Sequence, residues 1–426
     1  MSIQGVGIIG AGVVGQGVLE LLESQQARLS EVSAPYEVLG VAVRDASKAR
    51  PGLRAKIVPV EALLADPRLS VLVEVAGGIE APFGWVSQAL NAGKAVVTAN
   101  KAMLAERAEP LHALLAASGG RMYCEAAVAG GIPILSALDR GLVANRIVRV
   151  QGILNGTCNY LLTLMEREGL GFEAALSRAQ ALGFAEADPT LDVSGGDAAH
   201  KLAVLATLVL GVPVPFARVA VEGIERITAF DLEWAAAHGF RIKLLAHGRF
   251  DPGEVELRVH PTLVPRSRLI SEVMEEFNAV ELEGDLTGPQ LYQGRGAGRY
   301  PTASAVVADI VQALRGEPML RARPKSTKPP RFVPLGEVVS RHYVHLEVID
   351  QPGVVARVAT ALAKTGISIA SMFQPDVAHG SQVPLVFTTH PAKDAAMKEV
   401  LQAFGTALAK ESFLVKAPVH IRIEGA

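Results

Sequence analysis

A lysine and a carboxylate lie four residues apart where the sequence predicts the start of an apolar helix. Asp197 and Lys201 therefore share one helix face, and the residues that follow, LAVLATLVL, predict that the helix is buried. An ammonium group at the poorly solvated head of such a helix is suited to act as an acid or a base. The alternative is an ordinary ion pair at the surface, with the aspartate as a helix cap.

Other polar residues precede this helix or follow a predicted strand. Glu186 and Asp192, in GFAEADPTLD, could bind an amino group or a hydroxyl. Lys101 follows a short apolar run, and ligands of open α/β sheets collect at such strand ends. It could therefore orient a carboxylate or a cofactor, unless it is only an exposed lysine that starts a helix. His200 is interpreted as a packing or surface histidine.

The first turn of the chain carries a glycine motif that suits a dinucleotide. The motif consists of Gly10, Ala11, Gly12, Val13, Val14 and Gly15. The first glycine permits a tight turn, the second allows a pyrophosphate to approach, and the third lets helix and strand pack closely. The helix N-terminus adds free N–H groups and a positive dipole end. A plain glycine-rich turn is the alternative.

The residue that would meet the cofactor ribose is expected at the end of the second strand. The chain there reads Val43, Arg44, Asp45. Arg44 could pair with a 2′-phosphate, which favours NADP. Asp45 leaves NAD open, and a solvated strand-end charge is the remaining alternative for Arg44.

The elements that must position these residues fall into three predicted domains. Strand and helix patterns alternate over residues 1–135, which predicts a doubly wound parallel sheet of the Rossmann type. Residues 136–301 predict an α+β substrate-binding and dimerisation domain with a mixed sheet. A helix within 302–320 is expected to pack back on the first domain. Residues 321–340 are proline-rich and predict a linker, and 341–426 reads βαββαβ.

Composition excludes several classes of protein. The 426 residues suggest about three domains, and a formal charge of −2 offers no bulk attraction for nucleic acid or an anionic membrane. Cys124 and Cys158 are the only cysteines, which argues against a disulfide scaffold and a cysteine zinc site. The N-terminus lacks a basic region typical of signal peptides. We therefore expect a cytoplasmic protein.

Several longer motifs resemble one known family. They are GIIGAGVVG at 7–15, TANKAMLAE at 98–106, CEAAVAGGIPIL at 124–135, GILNGTCNYLL at 152–162, AQALGFAEADPTLDVSGGDAAHKLAVLA at 179–206 and GRGAGRYPTASAVVAD at 294–309. Together they resemble homoserine dehydrogenase in its longer bacterial form. Residues 350–372 look like the opening of the ACT domain that this form carries. The resemblance covers essentially the whole chain.

The resemblance implies an activity and a set of site residues. The family reversibly reduces L-aspartate 4-semialdehyde to L-homoserine with NADPH or NADH, in threonine, methionine and isoleucine biosynthesis. It implies that Lys201 donates a proton to the nascent alkoxide and that Lys101 lies by the nicotinamide and substrate. The remaining residues would contact the substrate (Glu186, Asp197, with Asp192 close by) or the cofactor (Thr98, Gly183 and Gly298).

The resemblance also implies a bound cation and an effector. A monovalent cation, typically sodium, would be held by Glu125, Val128, Gly130 and Ile132. The alternative for Glu125 is an ordinary strand-end carboxylate. Threonine would bind near the turn at 352–353 of the ACT domain, unless that domain only oligomerises. A homodimer or homotetramer is expected.

Two other functions stay open on the sequence. One is a different NAD(P)-dependent amino-acid dehydrogenase, which a substrate panel would distinguish. The other is a non-catalytic amino-acid sensor that uses the ACT domain. The retention of both lysines and all three carboxylates argues against the sensor, which has no chemical need for them.

Overall fold

The computed structural model describes residues 3–317, 330–376, 381–410 and 413–425. Residues 321–329 of the predicted linker lie outside these ranges. The rest of that linker contains regular structure, because a two-residue strand forms at Arg331–Phe332 and the next strand begins at Val339.

The N-terminal sheet is parallel, with five strands in the order β2-β1-β3-β4-β5. Its strands are β1 (Gln4–Ile9), β2 (Tyr36–Ala42), β3 (Leu69–Glu74), β4 (Ala95–Thr98) and β5 (Arg121–Tyr123). The inner strands are buried along almost their whole length, as their continuous apolar runs predicted. β2 is only half-buried near its start, because it lies at the sheet edge. The predicted Rossmann-type fold is confirmed.

A second sheet of twelve strands spans the rest of the chain. Its strands are β6 (Ile147–Ile153), β7 (Ala220–Val221), β8 (Phe240–Asp251), β9 (Glu254–Pro265), β10 (Phe277–Gly284), β11 (Gly288–Arg295), β12 (Arg331–Phe332), β13 (Val339–Ile349), β14 (Ile369–Phe373), β15 (Gln382–Thr389), β16 (Ala392–Lys393) and β17 (Val419–Ile423). The main order is β11-β10-β6-β8-β9-β17-β13-β15-β14. The mixed sheet and the βαββαβ order were both predicted correctly.

The helices connect and cover these strands. They are α1 (Val13–Ser24), α2 (Gln26–Val32), α3 (Val60–Ala65), α4 (Glu80–Asn91), α5 (Lys101–Glu106), α6 (Ala108–Ser118), α7 (Ile134–Ser136), α8 (Gly156–Glu168), α9 (Phe172–Ala181), α10 (Thr190–Val193), α11 (Gly196–Leu210), α12 (Ala229–Ala237), α13 (Arg299–Arg315), α14 (Val354–Lys364) and α15 (Asp394–Lys410). α13 returns to the N-terminal sheet and packs along α1. Within the described ranges, every helix falls short of the length or apolar character that a bilayer crossing requires.

One sheet connection was not predicted. β17, the last strand of the C-terminal domain, pairs in parallel with β9 of the preceding domain, with Arg422 opposite Thr262 and Ile423 opposite Leu263. The same strand pairs with β13 on its other side. The C-terminal domain therefore continues the sheet of the central domain.

Candidate active site

Lys201 and Asp197 form a buried ion pair in the first turns of α11. The Lys201 Nζ lies 2.8 Å from Asp197 Oδ2 and donates to the Leu154 carbonyl oxygen at 2.6 Å. The two residues are 9% and 5% exposed, respectively. The pair is therefore an interior one, and the surface pair that the spacing left open is excluded.

Lys101 reaches the same carboxylate from the N-terminal sheet. It is the first residue of α5, just beyond β4, and its Nζ lies 3.1 Å from Asp197 Oδ1. α5 packs against α11, so the two lysines are held on opposite oxygens of one carboxylate. Burial favours the neutral carboxyl, but the two ammonium groups and the hydrogen bonds outweigh burial and hold the pKa of Asp197 well below its usual range.

Asn155 is a site residue that the sequence reasoning missed. Its side-chain amide donates to Asp192 Oδ1 at 2.7 Å and to Asp197 Oδ2 at 2.8 Å. Its own Oδ1 accepts from the Cys158 backbone N–H, which makes it the N-cap of α8. An asparagine followed by a helical pattern could have identified the cap. No local sequence pattern could have identified Asp192 and Asp197 as the carboxylates that its amide binds.

The residues expected to bind substrate are only partly brought together. Asp192 is half-buried and joins the lysine cluster through Asn155, whereas Glu186 is exposed to solvent. Gly183 is also exposed and adopts φ = +79°, a conformation that favours glycine. The adjoining Phe184 stacks on Tyr160 with ring centroids 4.1 Å apart. This stacking fixes the segment that carries Glu186 beside α8.

The glycine turn is as tight as its three glycines predicted. Gly10 has φ = +108°, and a Cβ there would lie 2.6 Å from the Val75 carbonyl oxygen. A Cβ on Gly15 would lie 2.0 Å from the carbonyl oxygen of Gly10. No described atom lies within 4 Å of a Cβ built on Gly12, the N-cap of α1, so that face is open to a ligand. Val13 is largely exposed there, and Val14 is half-buried.

Arg44 and Thr98 differ in what they offer a cofactor. Arg44 is exposed just beyond β2, where a ribose phosphate could reach it. Thr98 is buried, and its hydroxyl donates to Glu74 Oε2 at 2.7 Å, so that donor is already used. Burial raises the pKa of Glu74 despite its hydrogen bonds. Sequence reasoning missed Glu74 because it reads as one polar residue within a strand.

The expected cation residues form a tight loop around a buried carboxylate. Glu125 accepts from the backbone N–H groups of Leu135 and Ser136, both at 2.8 Å, at the start of α7. Ala129 and Gly130 both have positive φ. Both carboxylate oxygens of Glu125 therefore accept hydrogen bonds within the chain, and Oε1, which accepts only one, keeps a lone pair that a cation could share with backbone carbonyl oxygens.

A second buried acid lies against this loop. Asp309 Oδ2 accepts from the Glu125 N–H at 2.8 Å, and its Oδ1 has no hydrogen-bond partner among the described residues. Burial, reinforced by the nearby Glu125 carboxylate, raises the pKa of Asp309 well above its usual value. Two buried acids and an unsatisfied oxygen fit a small hard cation bound through oxygen.

Gly298 lies at the end of a loop, residues 295–298, that packs on the loop of residues 125–132. The Gly131 N–H donates to the Arg295 carbonyl oxygen at 3.1 Å, and a Cβ on Gly130 would lie 2.4 Å from the Gly296 carbonyl oxygen. Gly298 itself has φ = +116° and caps α13. Its backbone is therefore fixed relative to both domains.

The remaining candidates are structural. His200 is buried, with Nε2 3.1 Å from Glu106 Oε1 and its ring against Phe216. Cys124 and Cys158 are unpaired and buried, and burial raises the pKa of each thiol well above its usual value. Neither thiol is suited to act as a nucleophile.

Comparisons with known proteins agree along the whole chain. Residues 10–125 match the family model described as homoserine dehydrogenase, NAD binding domain; residues 133–311 match homoserine dehydrogenase; and residues 342–406 match the ACT domain. The homoserine dehydrogenase of Pseudomonas aeruginosa is 40% identical over 412 residues, covering 93% of this chain and 94% of that protein. That of Neisseria gonorrhoeae is 37% identical and covers 95% of each.

A solved structure agrees with this fold over the length of both chains. The homoserine dehydrogenase of Thiobacillus denitrificans superposes with a TM-score of 0.90 at 38% identity, covering 99% of this chain and 98% of that one. The buried Asp197–Lys201 pair and the open glycine turn agree with these similarities. The chain belongs to the homoserine dehydrogenase family, in the form that carries an ACT domain.

Proposed function

We propose that Lys201 is the proton donor in the reaction of this enzyme. As a homoserine dehydrogenase, the protein is an NAD(P)-dependent oxidoreductase that interconverts L-aspartate 4-semialdehyde and L-homoserine. The observation that carries the proposal is the meeting of the buried Lys201 and the half-buried Lys101 on Asp197, between the N-terminal sheet and α11. Ligands of open α/β sheets collect at the strand ends that this cluster adjoins.

The hydrogen bonds of Lys201 support this role. An ammonium group has three N–H donors, and the described contacts of Lys201 use two of them, to Asp197 and to the Leu154 carbonyl. The third donor can therefore reach a substrate oxygen. The nicotinamide supplies the hydride when bound. Lys201 gives a proton to the carbonyl oxygen during reduction and, when neutral, accepts the hydroxyl proton during oxidation.

The other site residues would orient the reactants. Asp197 aims both ammonium groups, and Lys101 lies where it would meet the substrate and the nicotinamide end of the cofactor. Glu186 and Asp192 would hold the substrate amino group. The exposed position of Glu186 fits a residue that meets its ligand from the rim of the cleft. The backbone of Gly183 and Gly298 would approach the cofactor.

One assay tests the activity and separates it from its rivals. Oxidation of NADPH or NADH is followed at 340 nm with aspartate semialdehyde and with a panel of other amino-acid aldehydes and ketones. Turnover with the semialdehyde that exceeds every other substrate supports the proposal. Preference for a different carbonyl compound indicates another dehydrogenase, and threonine binding without any turnover indicates a sensor.

The cofactor is proposed to be NADPH, with NADH as a weaker substitute. Arg44 carries this preference, because it is exposed just beyond β2, whose last residue, Ala42, accepts from the Gly10 N–H at 2.9 Å, and a guanidinium there can pair with a phosphate. Arg44→Ala is expected to raise the KM for NADPH by about 10- to 100-fold, the equivalent of a lost charge-assisted hydrogen bond. The KM for NADH should change little. Arg28→Ala, at an exposed arginine on α2, is the matched control; equal effects on the two cofactors would refute the preference.

We also propose a bound monovalent cation, sodium, at the loop of Glu125, Val128, Gly130 and Ile132. Carbonyl-rich coordination suits a hard, weakly charged ion. The cation would offset the charge of the buried acids and hold this loop against the one that ends at Gly298. Its role would be structural, with no part in proton transfer.

The ACT domain is proposed to bind threonine. A cavity of about 320 Å³ lies at the turn after β13, lined by residues 348–355 and Gln374. Asp350 Oδ1 accepts from the Gln374 side-chain amide at 2.8 Å at its edge. The Asp350 carboxylate can accept from the amino group of threonine. The N-terminus of α14 favours the carboxylate of threonine.

Asp350→Ala is expected to remove inhibition by L-threonine while leaving kcat near the wild-type value. The reason is that Asp350 would pair with the effector and lies outside the catalytic cluster. Inhibition curves with L-threonine, and with D-threonine as a control, measure this. Unchanged L-threonine inhibition in the variant would refute the site, and no inhibition of the wild type would leave oligomerisation as the role of the domain.

The proposed organisation keeps the predicted domains: 1–135 with 302–320, 136–301, the linker 321–340 and 341–426. A homodimer or homotetramer is proposed, supported by the exposed Met372 and Phe373 on the edge strand β14.

A cytoplasmic location is proposed, since the cysteines are free thiols.

A further inference from the structure

A buried arginine of the C-terminal domain is clamped to the central domain. Arg422, on β17, is 2% exposed and makes four hydrogen bonds to carboxylates. Two go to Asp394, the first residue of α15, at 2.6 and 2.9 Å. The other two go to Glu222, which follows β7, at 2.7 and 2.9 Å. The planar guanidinium thus fixes both carboxylates in orientation as well as distance.

Arg422 and its partner carboxylates are charged, whereas burial disfavours a charge on the two neighbouring histidines. Burial opposes ionisation of Glu222, but the hydrogen bonds and charge of Arg422 hold the pKa of Glu222 below its usual range. Burial likewise opposes the charge of Arg422, while its two carboxylate partners raise its pKa. Nearby, His342 Nδ1 lies 3.0 Å from His420 Nε2, and burial lowers the pKa of each imidazole.

The segment after Glu222 supports the start of the catalytic helix. The Ile224 N–H donates to the Val193 carbonyl oxygen at 2.9 Å. A Cβ on Gly223 would lie 2.3 Å from that same oxygen and 2.7 Å from the Ser194 Cα. The two backbones are therefore in direct contact, and a displacement of one is passed to the other.

This contact lies immediately before Asp197. Gly195, the N-cap of α11, has φ = +85°, and a Cβ there would lie 3.1 Å from a Val221 methyl carbon and 3.4 Å from the Glu222 carbonyl oxygen. Only Gly196 separates this cap from Asp197. A shift of the 221–224 segment would move the cap and hence the first turn that carries the ion pair.

We infer that Arg422 is a positioning residue for the Asp197–Lys201 pair. Its clamp on Glu222 presses residues 222–224 against 193–195 and so fixes the first turn of α11. The C-terminal domain thereby completes the active site of the same chain, beyond any binding of an effector. This inference rests on the role proposed above for Lys201.

The test compares two inter-domain arginines. Arg422→Gln should lower kcat by about tenfold or more, since misplacing reacting groups by about 1 Å can lower rates by up to about 10²-fold. The dissociation constant for NADPH, measured by cofactor fluorescence, should stay unchanged, because the glycine turn is remote from the clamp. Arg331→Gln is the control: it removes an exposed arginine that pairs with Glu254 and Glu337, and kcat should stay at the wild-type value.

Two further variants separate positioning from loss of folding. Arg422→Lys keeps the charge and should restore part of kcat. Gly223→Ala keeps Arg422 and both of its carboxylate partners, forces the two backbones apart at the same contact, and should lower kcat in the same way. A folded Arg422→Gln enzyme with wild-type kcat would overturn the inference. If Arg422→Gln does not fold, wild-type kcat in Gly223→Ala overturns it instead.

The outcomes also separate this inference from the proposed function. An inactive Lys201→Ala enzyme together with a fully active Arg422→Gln enzyme rejects only the role of Arg422. A fully active Lys201→Ala enzyme rejects the catalytic role on which the inference rests.

Discussion

Lys201→Ala is expected to lower kcat by about 10²- to 10⁴-fold, the usual contribution of a positioned general acid. The variant lacks the N–H donor that would reach the substrate oxygen, and no other described ammonium occupies that position on Asp197 Oδ2. NADPH binding should persist, because the glycine turn at residues 10–15, which is proposed to hold the pyrophosphate, belongs to the N-terminal domain. Steady-state kinetics and cofactor fluorescence titration measure the two properties.

Rescue by small amines sharpens this prediction. Ethylamine or methylamine fits the volume left by the truncated side chain and carries the missing ammonium group. It should restore part of kcat in Lys201→Ala and leave the wild type unaffected. Lys94→Ala, at a half-buried lysine just before β4 that lies outside the catalytic cluster, is the matched control and should behave as the wild type. A Lys201→Ala enzyme with kcat near that of the wild type would show that another group transfers the proton.

Asp197→Asn is expected to lower kcat/KM by about 10²-fold or more. The substitution keeps the shape of the side chain but leaves two ammonium groups without the carboxylate that separates and aims them. Breaking a buried ion pair by removing one partner destabilises a protein by about 3–5 kcal/mol, so a lower melting temperature is expected as well. Kinetics and thermal unfolding report both effects.

A neighbouring carboxylate provides the control. Asp192 accepts from Asn155, yet neither lysine is among its described hydrogen-bond partners. Asp192→Asn should therefore have a smaller effect on kcat than Asp197→Asn. The reverse order would show that Asp197 is not the centre of the site.

The low pKa of Asp197 also fixes the sign of its pH dependence. Its folded pKa lies below the unfolded value of about 3.9. Its contribution to stability is therefore fully present above about pH 4 and is lost as the pH falls through the folded pKa. No loss of stability from this group is expected between pH 5 and 8.

Local patterns predicted the parts of the site that depend on one element. The i,i+4 spacing of Asp197 and Lys201 and the glycine turn follow from helix and turn geometry, and both appear in the structure. Burial of the pair was also predictable, from the apolar run that continues α11. The meeting of Lys101 with Asp197 needed the packing of α5 on α11, which no spacing along the chain encodes.

Contacts between distant segments could not be predicted from the sequence, for the same reason. Asn155 reads as a helix cap, and its second role depends on where α8 meets α11. Arg422 reads as one charge in an alternating strand. Its burial follows from the pairing of β17 with β9, more than 150 residues earlier in the chain. Neither the proline-rich linker nor the βαββαβ pattern indicates that pairing.

A crystal structure of the enzyme with NADP⁺ and L-homoserine tests the central claim most directly. The account predicts that the homoserine hydroxyl oxygen lies within about 2.6–3.2 Å of Lys201 Nζ, with the carbon that bears it facing the nicotinamide ring. A substrate bound elsewhere in the cleft, with Lys201 still bonded only to Asp197 and the Leu154 carbonyl, would contradict it.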